Sequence, residues 1–218
     1  MNEQSFTVAW FKLADFVVRG EKERALGVHK LLMHSVEDKA LSYQLEADIL
    51  LAFDDDEAIN KYHIAANLYK KTGRFTQAVA VYEHVSVFKS DSLILESLLD
   101  VYLKLEKYAQ AYDVFEKCAQ LYIDQGNLGI IVNKLHALSL EMNATVKAHL
   151  YARAAILLAQ QAYMKTQVLA YVQQALFLLY EAKVSQKEIQ HFLLRLQAID
   201  ESIHAQALQY HYDVLLEQ

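Results

Sequence analysis

The sequence predicts an all-α protein, and three observations lead to this class. None of the 218 residues is proline and only five are glycine, so the two residues that most oppose a helix interior are scarce. Apolar residues make up 54% of the chain, which argues against a disordered protein. They recur with the 3.6-residue period of an α-helix between short polar breaks. Together these features indicate helices joined by short loops.

The periodicity divides the chain into about twelve helices, each about 12 to 18 residues long. Because the breaks between them are short, consecutive helices are expected to pack antiparallel as helical hairpins. We predict helices near residues 5–19, 21–34, 38–53, 56–72, 75–88, 91–105, 108–124, 127–142, 145–162, 165–182, 185–199 and 202–217.

The residues at several breaks support these boundaries. The aspartate run at 54–56 can cap the helix that follows, because carboxylate oxygens accept hydrogen bonds from the first free N–H groups of a helix. Ser90 and Asp91 can likewise cap the helix predicted at 91–105. Gly73 suits the left-handed backbone position that commonly follows a helix.

A sequence repeat organises the middle of the chain. Ala78 and Ala111 occupy equivalent positions, where a small side chain lets two helices approach closely. Four residues later, Tyr82 and Phe115 provide a large side chain on the same helix face. The same offset relates a longer set of residues in two copies of the pattern. The first copy contains Tyr62, Ala65, Ala66, Tyr69, Phe75, Ala78 and Tyr82. The second copy contains, in the same order, Leu95, Leu98, Leu99, Tyr102, Tyr108, Ala111 and Phe115.

This pattern resembles the tetratricopeptide repeat, which has a period of about 34 residues. Ala65–Ala66 and Leu98–Leu99 stand where that family has a Leu-Gly pair. The proline that often closes a repeat is absent, and Glu106 replaces the turn glycine of the second copy. The resemblance implies antiparallel helical hairpins stacked as a right-handed superhelix, an α-α solenoid.

We expect a single helical-repeat domain over residues 1–218. The clear repeats lie in 58–122, where the consensus residues are present. Residues 1–57 and 123–218 are expected to form degenerate or capping repeats, because helix spacing continues there without the consensus.

Sequence motifs of catalysis and metal binding are absent. The chain has no Gly-rich phosphate loop, no His-Glu-x-x-His helix and no nucleophile elbow. Its nine histidines include no pair at the i, i+4 spacing, and the run 54–57 lacks the ladder of a calcium loop. The single cysteine, Cys118, excludes an internal disulfide. We therefore predict a protein that is not an enzyme, with no catalytic residues, no metal and no cofactor.

Charge and hydropathy restrict the partners. A net charge of -6 and a pI near 5.8 disfavour nucleic acid, which requires clustered basic residues. The most apolar stretch, 154–180, is interrupted by glutamines and one lysine, so no membrane insertion is expected. Residues 1–16 lack the basic start and long apolar run of a signal peptide, and we expect a cytoplasmic protein.

The resemblance also implies a binding surface. In such repeats the first helix of each hairpin lines a concave groove that binds peptides or helices. If the consensus residues are buried, ten other side chains of two such helices face the groove. These are Asn60, His63, Asn67, Lys70, Lys71, Leu93, Glu96, Ser97, Asp100 and Lys104.

The chemistry of these groove residues suggests the kind of partner. Chaperone-binding members of the family hold a C-terminal carboxylate with lysine and asparagine residues. Asn67 matches one of them, but His63 and Ser97 replace two others, and the acidic Glu96 and Asp100 would repel a carboxylate. We therefore expect a neutral or basic peptide, or an amphipathic helix. The predicted function is a non-catalytic adaptor, scaffold or chaperone for a partner protein.

One stretch leaves two interpretations open. Between Glu141 and Glu181 there is no carboxylate, so the helices there have little of the usual charged face. Either other helices wrap them, or they expose an apolar patch that a partner or a second copy covers. We favour the second, self-association through 144–180. An alternative function for the whole chain is a regulatory helical-repeat module that senses a small ligand or peptide and controls an effector in trans.

Overall fold

A computed structural model of the chain describes residues 3–34, 36–89, 91–139, 142–161 and 165–216. Within these ranges it contains twelve α-helices and no β-strand, which confirms the all-α prediction. The helices are α1 (Glu3–Val18), α2 (Lys22–Met33), α3 (Lys39–Ala52), α4 (Glu57–Lys71), α5 (Phe75–Phe88), α6 (Ser92–Lys104), α7 (Tyr108–Asp124), α8 (Leu128–Ser139), α9 (Ala144–Ala159), α10 (Lys165–Glu181), α11 (Gln186–Ile199) and α12 (Glu201–Leu216).

The predicted helix boundaries agree closely with the observed ones. Most differ by one or two residues, as expected where helix ends fray and the last turn tightens. The predicted ends at 142, 162 and 217 extend over residues 140–141, 162 and 217, which lie outside the described residues.

Side-chain caps account for several helix starts. Asp91 Oδ1 accepts a hydrogen bond from the N–H of Ile94 at 3.0 Å, as predicted, whereas Ser90 lies outside the described residues. In the run 54–56 it is Asp55 that accepts a bond from the N–H of Glu57, at 2.9 Å. α11 begins with a complete capping box between Ser185 and Glu188, in which each side chain bonds the other residue's backbone.

The turns after α4 and α6 have the same backbone geometry. Gly73 has φ of 73°, the left-handed conformation predicted for it. Glu106 occupies the equivalent position with φ of 56°, although an L side chain is disfavoured there. The corresponding hydrogen bonds run from Gly73 N to Lys70 O, Arg74 N to Tyr69 O, Glu106 N to Leu103 O and Lys107 N to Tyr102 O. The sequence repeat therefore extends to the turn even where its glycine is missing.

The chain forms two compact units, residues 1–107 and 108–218. In the first unit each helix from α1 to α5 packs against the next. The small-then-large pair is buried as predicted, with Ala78 0% and Tyr82 1% exposed. The expectation of one domain over 1–218 stays a prediction, since it concerns folding cooperativity rather than packing within either unit.

Ion pairs at repeat spacing connect the loops of the first unit. Lys22, which begins α2, pairs with Asp55, which precedes α4. Arg74, which precedes α5, pairs with Asp38, which precedes α3, through two hydrogen bonds from its guanidinium group. That guanidinium group also lies 4.5 Å from the centre of the Tyr69 ring. These pairs join the N-terminal ends of helices that are one repeat apart.

In the second unit α9 is the central helix. It packs against α7, α8, α10 and α11, and α12 packs against α10 and α11. Its buried side chains occur on nearly every side of the helix: Val146, Ala148, Leu150, Ala152, Ala154, Ala155, Ile156, Leu158 and Ala159. A helix enclosed in this way requires no charged face.

This enclosure accounts for the carboxylate-free stretch. Of the large apolar side chains described in 144–180, only Phe177 is exposed, at 50%. The burial therefore supports the first interpretation, in which other helices wrap this stretch. Self-association through 144–180 stays a prediction, and among the described large apolar side chains of this stretch it rests on Phe177 alone.

Candidate functional site

The predicted groove residues lie on α4 and α6 in the first unit, and Tyr82 of α5 connects three of them. Its hydroxyl donates a hydrogen bond to Asn67 Oδ1 at 3.2 Å. The Ser97 side chain lies near the same hydroxyl, and the His63 ring meets the Tyr82 ring edge-on at 5.9 Å between ring centres. The buried tyrosine thus brings His63, Asn67 and Ser97 together from two different helices.

A second connection between the two helices is ionic. Lys70 Nζ of α4 lies 2.6 Å from Asp100 Oδ2 of α6, and Lys104 Nζ lies 3.6 Å from Asp100 Oδ1. The ammonium group of Lys104 also lies 5.9 Å from the centre of the Phe75 ring. Because the side chain of Asp100 is 40% exposed, each pair is weak by itself. Their joint effect is to neutralise the carboxylate of Asp100.

The remaining predicted residues differ in exposure. Asn60 is exposed and donates a hydrogen bond to Glu57 Oε1 at 3.0 Å. Lys71 is exposed, and Glu96 is half-buried. Leu93 is 60% exposed at the start of α6.

Protonation states make the groups around Tyr82 neutral hydrogen-bonding groups. Burial is the main cause that lowers the pKa of His63, with Lys89 acting in the same direction and Asp91 opposing it. Burial likewise raises the pKa of Tyr82, against the effect of the nearby Ser97 side chain. At neutral pH His63 is therefore uncharged and Tyr82 keeps its proton, which it donates to Asn67.

Sequence reasoning missed the polar contacts behind this surface. Tyr62, a consensus residue of α4, donates to Asp48 Oδ1 of α3 at 2.5 Å, and its oxygen lies 3.3 Å from His84 Nε2. Tyr69 donates to Gln44 Oε1 of α3 at 2.9 Å. These bonds hold α4 against the preceding helix. No signal could have shown them, because α3 lies outside the clear repeats.

Two general features of the structure bear on function. Among the described residues, no group of three or more His, Cys, Asp or Glu side chains is arranged to hold a metal ion. In the same part of the chain, no helix has both the length and the apolar character needed to cross a membrane. Cys118, the single cysteine of the chain, is buried.

Comparison with known proteins identifies the repeats. The tetratricopeptide repeat model matches residues 62–86 and 94–124, the part of the chain where the repeated pattern is clearest. These two segments are therefore tetratricopeptide repeats, as the consensus residues predicted. Repeats of this type generally mediate protein–protein interactions.

One solved structure and the curated proteins complete the comparison. A crystal structure of a tetratricopeptide repeat protein from Parabacteroides merdae ATCC 43184 is similar to this chain with 16% identity and a TM-score of 0.27. The similarity covers 96% of this chain and 99% of that one. Comparison with curated proteins gives no match.

Proposed function

We propose that the protein is a non-catalytic cytoplasmic adaptor, scaffold or chaperone that binds a peptide or helix of a partner protein. The proposed site is the α4–α6 surface, defined by the ten predicted groove residues on those two helices. One observation supports this site above all others. Side chains of α4 and α6, the first helices of successive repeats, meet through Tyr82 and Asp100, so the two helices present one continuous polar surface.

The charges of the α4–α6 surface favour a neutral amphipathic segment among the expected partners. Lys70 and Lys104 already neutralise Asp100, so a basic peptide would have to displace them. Such an exchange between exposed pairs gains little free energy. A neutral segment can form hydrogen bonds with the neutral groups around Tyr82 without displacing these lysines.

An apolar anchor is present beside these polar groups. Leu93 is 60% exposed, and Val87 and Phe88, at the end of the preceding helix, are 78% and 53% exposed. Exposed apolar side chains gathered in one short segment are typical of a contact that another molecule covers. A partner helix could place its apolar face on them and its polar face toward the surface groups of α4 and α6.

Site-specific photo-crosslinking tests this proposal. A photoreactive amino acid would replace Leu93 in one protein and Leu31 in another. Leu31 on α2 is the matched control, because it is the same residue type with a similar exposure of 65%. We expect a defined crosslinked partner from position 93 that is absent from position 31.

Binding measured with the captured partner completes the test. Leu93→Asp should weaken binding about tenfold, because it places a charge at an apolar contact, whereas Leu31→Asp should leave it unchanged. Equal crosslinking at both positions, or equal loss of binding in both aspartate variants, would contradict the assignment to the α4–α6 surface.

A separate observation favours the alternative, a regulatory module that senses a small ligand or peptide. A cleft of about 720 Å³ lies between α2 and α3, lined in part by Met33, Tyr43 and His29. This size is within the range of small-molecule sites. A thermal-stability screen with a metabolite library separates the two functions, because a ligand that binds only the folded protein raises its melting temperature. A sensor requires such a ligand, and an adaptor does not.

A further inference from the structure

A second cleft lies in the second unit, on helices outside the matched repeats. It has a volume of about 700 Å³, within the range of ligand-binding sites. Its walls come mainly from α9 and α11, and α7 and α10 contribute one residue each. The apolar part of the lining consists of Ala152, Ile156, Leu179 and Phe192, all of which are buried.

The α11 wall carries a row of basic side chains. Lys187, His191 and Arg195 all line the cleft and are exposed. Their i, i+4, i+8 spacing places them on one face of the helix, in a row about 12 Å long at about 1.5 Å per residue. On the α9 wall, His149 and Arg153 have the same spacing. Basic groups therefore flank the apolar lining on both sides.

Arg153 is held in place by two contacts on α7. Its guanidinium group pairs with Glu116 and lies 4.9 Å from the centre of the Tyr112 ring. Its side chain is 30% exposed, so the group stays partly accessible from the cleft. A fixed guanidinium group loses little conformational freedom when it accepts a further hydrogen-bonding partner.

The lining carries few opposing charges. Among the described lining residues the only carboxylate is Glu188, against the cations Lys187 and Arg195 and against Arg153, whose charge is already offset by Glu116 of α7. Glu188 is already engaged by the cap of α11, where its Oε2 accepts a bond from Ser185 Oγ at 2.7 Å. The whole chain has a net charge of -6, so this cleft has the opposite sign to the protein that carries it.

We propose that this α9–α11 cleft binds an acidic peptide segment of a partner protein. Apolar side chains of the segment would contact Ile156, Leu179 and Phe192, and its carboxylates would align with the basic row of α11. The proposal goes beyond the function assigned to the α4–α6 surface, because the two sites lie on different helices and prefer different charges.

The spacing of the basic row favours a linear ligand over a small anion. Successive members of the row are about 6 Å apart along α11, since each residue of a helix rises by about 1.5 Å. Alternate side chains of an extended peptide are about 6.6 to 7 Å apart and point to the same side. Glutamates at alternate positions therefore match the row, while the side chains between them point the other way. A small anion would engage one cation at a time and leave most of the apolar lining uncovered.

Fluorescence anisotropy with a defined probe tests the proposal. The probe is a labelled peptide in which glutamate alternates with leucine, and its comparison peptide alternates glutamate with serine. Wild-type protein should bind the leucine peptide at least about tenfold more tightly, because only that peptide covers the apolar lining. Equal binding of the two peptides would show attraction by charge alone and would overturn the proposal.

Charge-matched variants locate the site. Lys187→Gln with Arg195→Gln should weaken binding of the leucine peptide about tenfold or more, because each exposed ion pair contributes somewhat less than that by itself. The control is Lys107→Gln with Lys117→Gln, which removes the same charge at two exposed positions outside the cleft lining. It should change the affinity less than about twofold. Equal losses in the two double variants would overturn the proposal.

Two further measurements test whether the binding results reflect unfolding, the α4–α6 surface or a general attraction to polyanions. All variants should keep the wild-type circular dichroism and melting temperature, and Leu93→Asp should leave peptide binding intact, which separates this site from the α4–α6 surface. A labelled oligothymidylate that bound as tightly as the leucine peptide would identify a general polyanion surface, and that result would also overturn the proposal.

Discussion

Replacing Glu106 by glycine should stabilise the protein. Glu106 occupies the turn after α6 with φ of 56°, at the position where Gly73 closes α4 with φ of 73°. A residue with a β-carbon in this conformation carries about 1 to 2 kcal/mol of strain. Glycine has more conformational freedom to lose on folding, about 0.5 to 1 kcal/mol. The difference predicts a net stabilisation of about 0.5 to 1 kcal/mol, or about 1 to 4 °C in melting temperature for a chain of this length.

Urea unfolding followed by far-UV circular dichroism measures this difference. Glu106→Ala is the matched control, because it removes the carboxylate but keeps the β-carbon in the left-handed conformation. It should give little or no stabilisation. The reverse change, Gly73→Ala, should destabilise by about 1 kcal/mol. No atom lies within 4 Å of the added β-carbon, so its cost comes from the backbone conformation rather than from a clash.

Two outcomes would refute the reasoning. If Glu106→Ala stabilised as much as Glu106→Gly, the side chain and not the backbone would be the source of the strain. If Glu106→Gly were neutral or destabilising while Gly73→Ala cost about 1 kcal/mol, the two turns would not be energetically equivalent, despite their matching hydrogen bonds.

Three further predictions concern buried polar groups and cooperativity. Tyr62→Phe removes the hydrogen bond to Asp48 and should lower the free energy of unfolding by about 1 kcal/mol in urea titrations. An unchanged free energy of unfolding would mean that this bond stabilises the protein no more than a hydrogen bond to water does. Burial lowers the pKa of His29 below its usual value near 6.5, so the unfolded chain binds more protons and stability falls as the pH drops below about 6.5. His29→Gln, which can still donate to the Ser42 carbonyl that His29 contacts at 3.1 Å, should reduce this loss between pH 7 and 5.5, and an unchanged pH dependence would contradict the assignment. If residues 1–218 fold as one domain, fluorescence of Trp10, the single tryptophan, and circular dichroism should give coincident urea transitions, whereas separated midpoints would indicate independent units.

The helices and the repeat could be predicted from the amino-acid sequence alone. Both are local: the 3.6-residue period, the absence of proline and the caps act within one or two helical turns. Gly73 and Asp91 therefore took the roles predicted for them. The grouping of groove residues on α4 and α6 was also predictable, since a regular repeat presents equivalent positions on the same side.

The contacts among those residues depend on how the helices pack. The sequence predicted Asp100 as an acidic groove residue, and the structure shows that Lys70 and Lys104 neutralise it. The burial of the stretch 144–180 depends on four helices that pack around α9. Such contacts join residues far apart in the chain, and no spacing within one helix encodes them.

The α9–α11 cleft shows the same limit most clearly. The row of Lys187, His191 and Arg195 is visible in the sequence as a regular i, i+4 spacing, and by itself it indicates only a solvated helix face. It becomes one wall of a cleft because α9, two helices earlier in the chain, places Arg153 opposite. Charge on a helix is a local property of the sequence, whereas the enclosure that makes it a candidate binding site is a property of how helices without a common repeat pattern pack together.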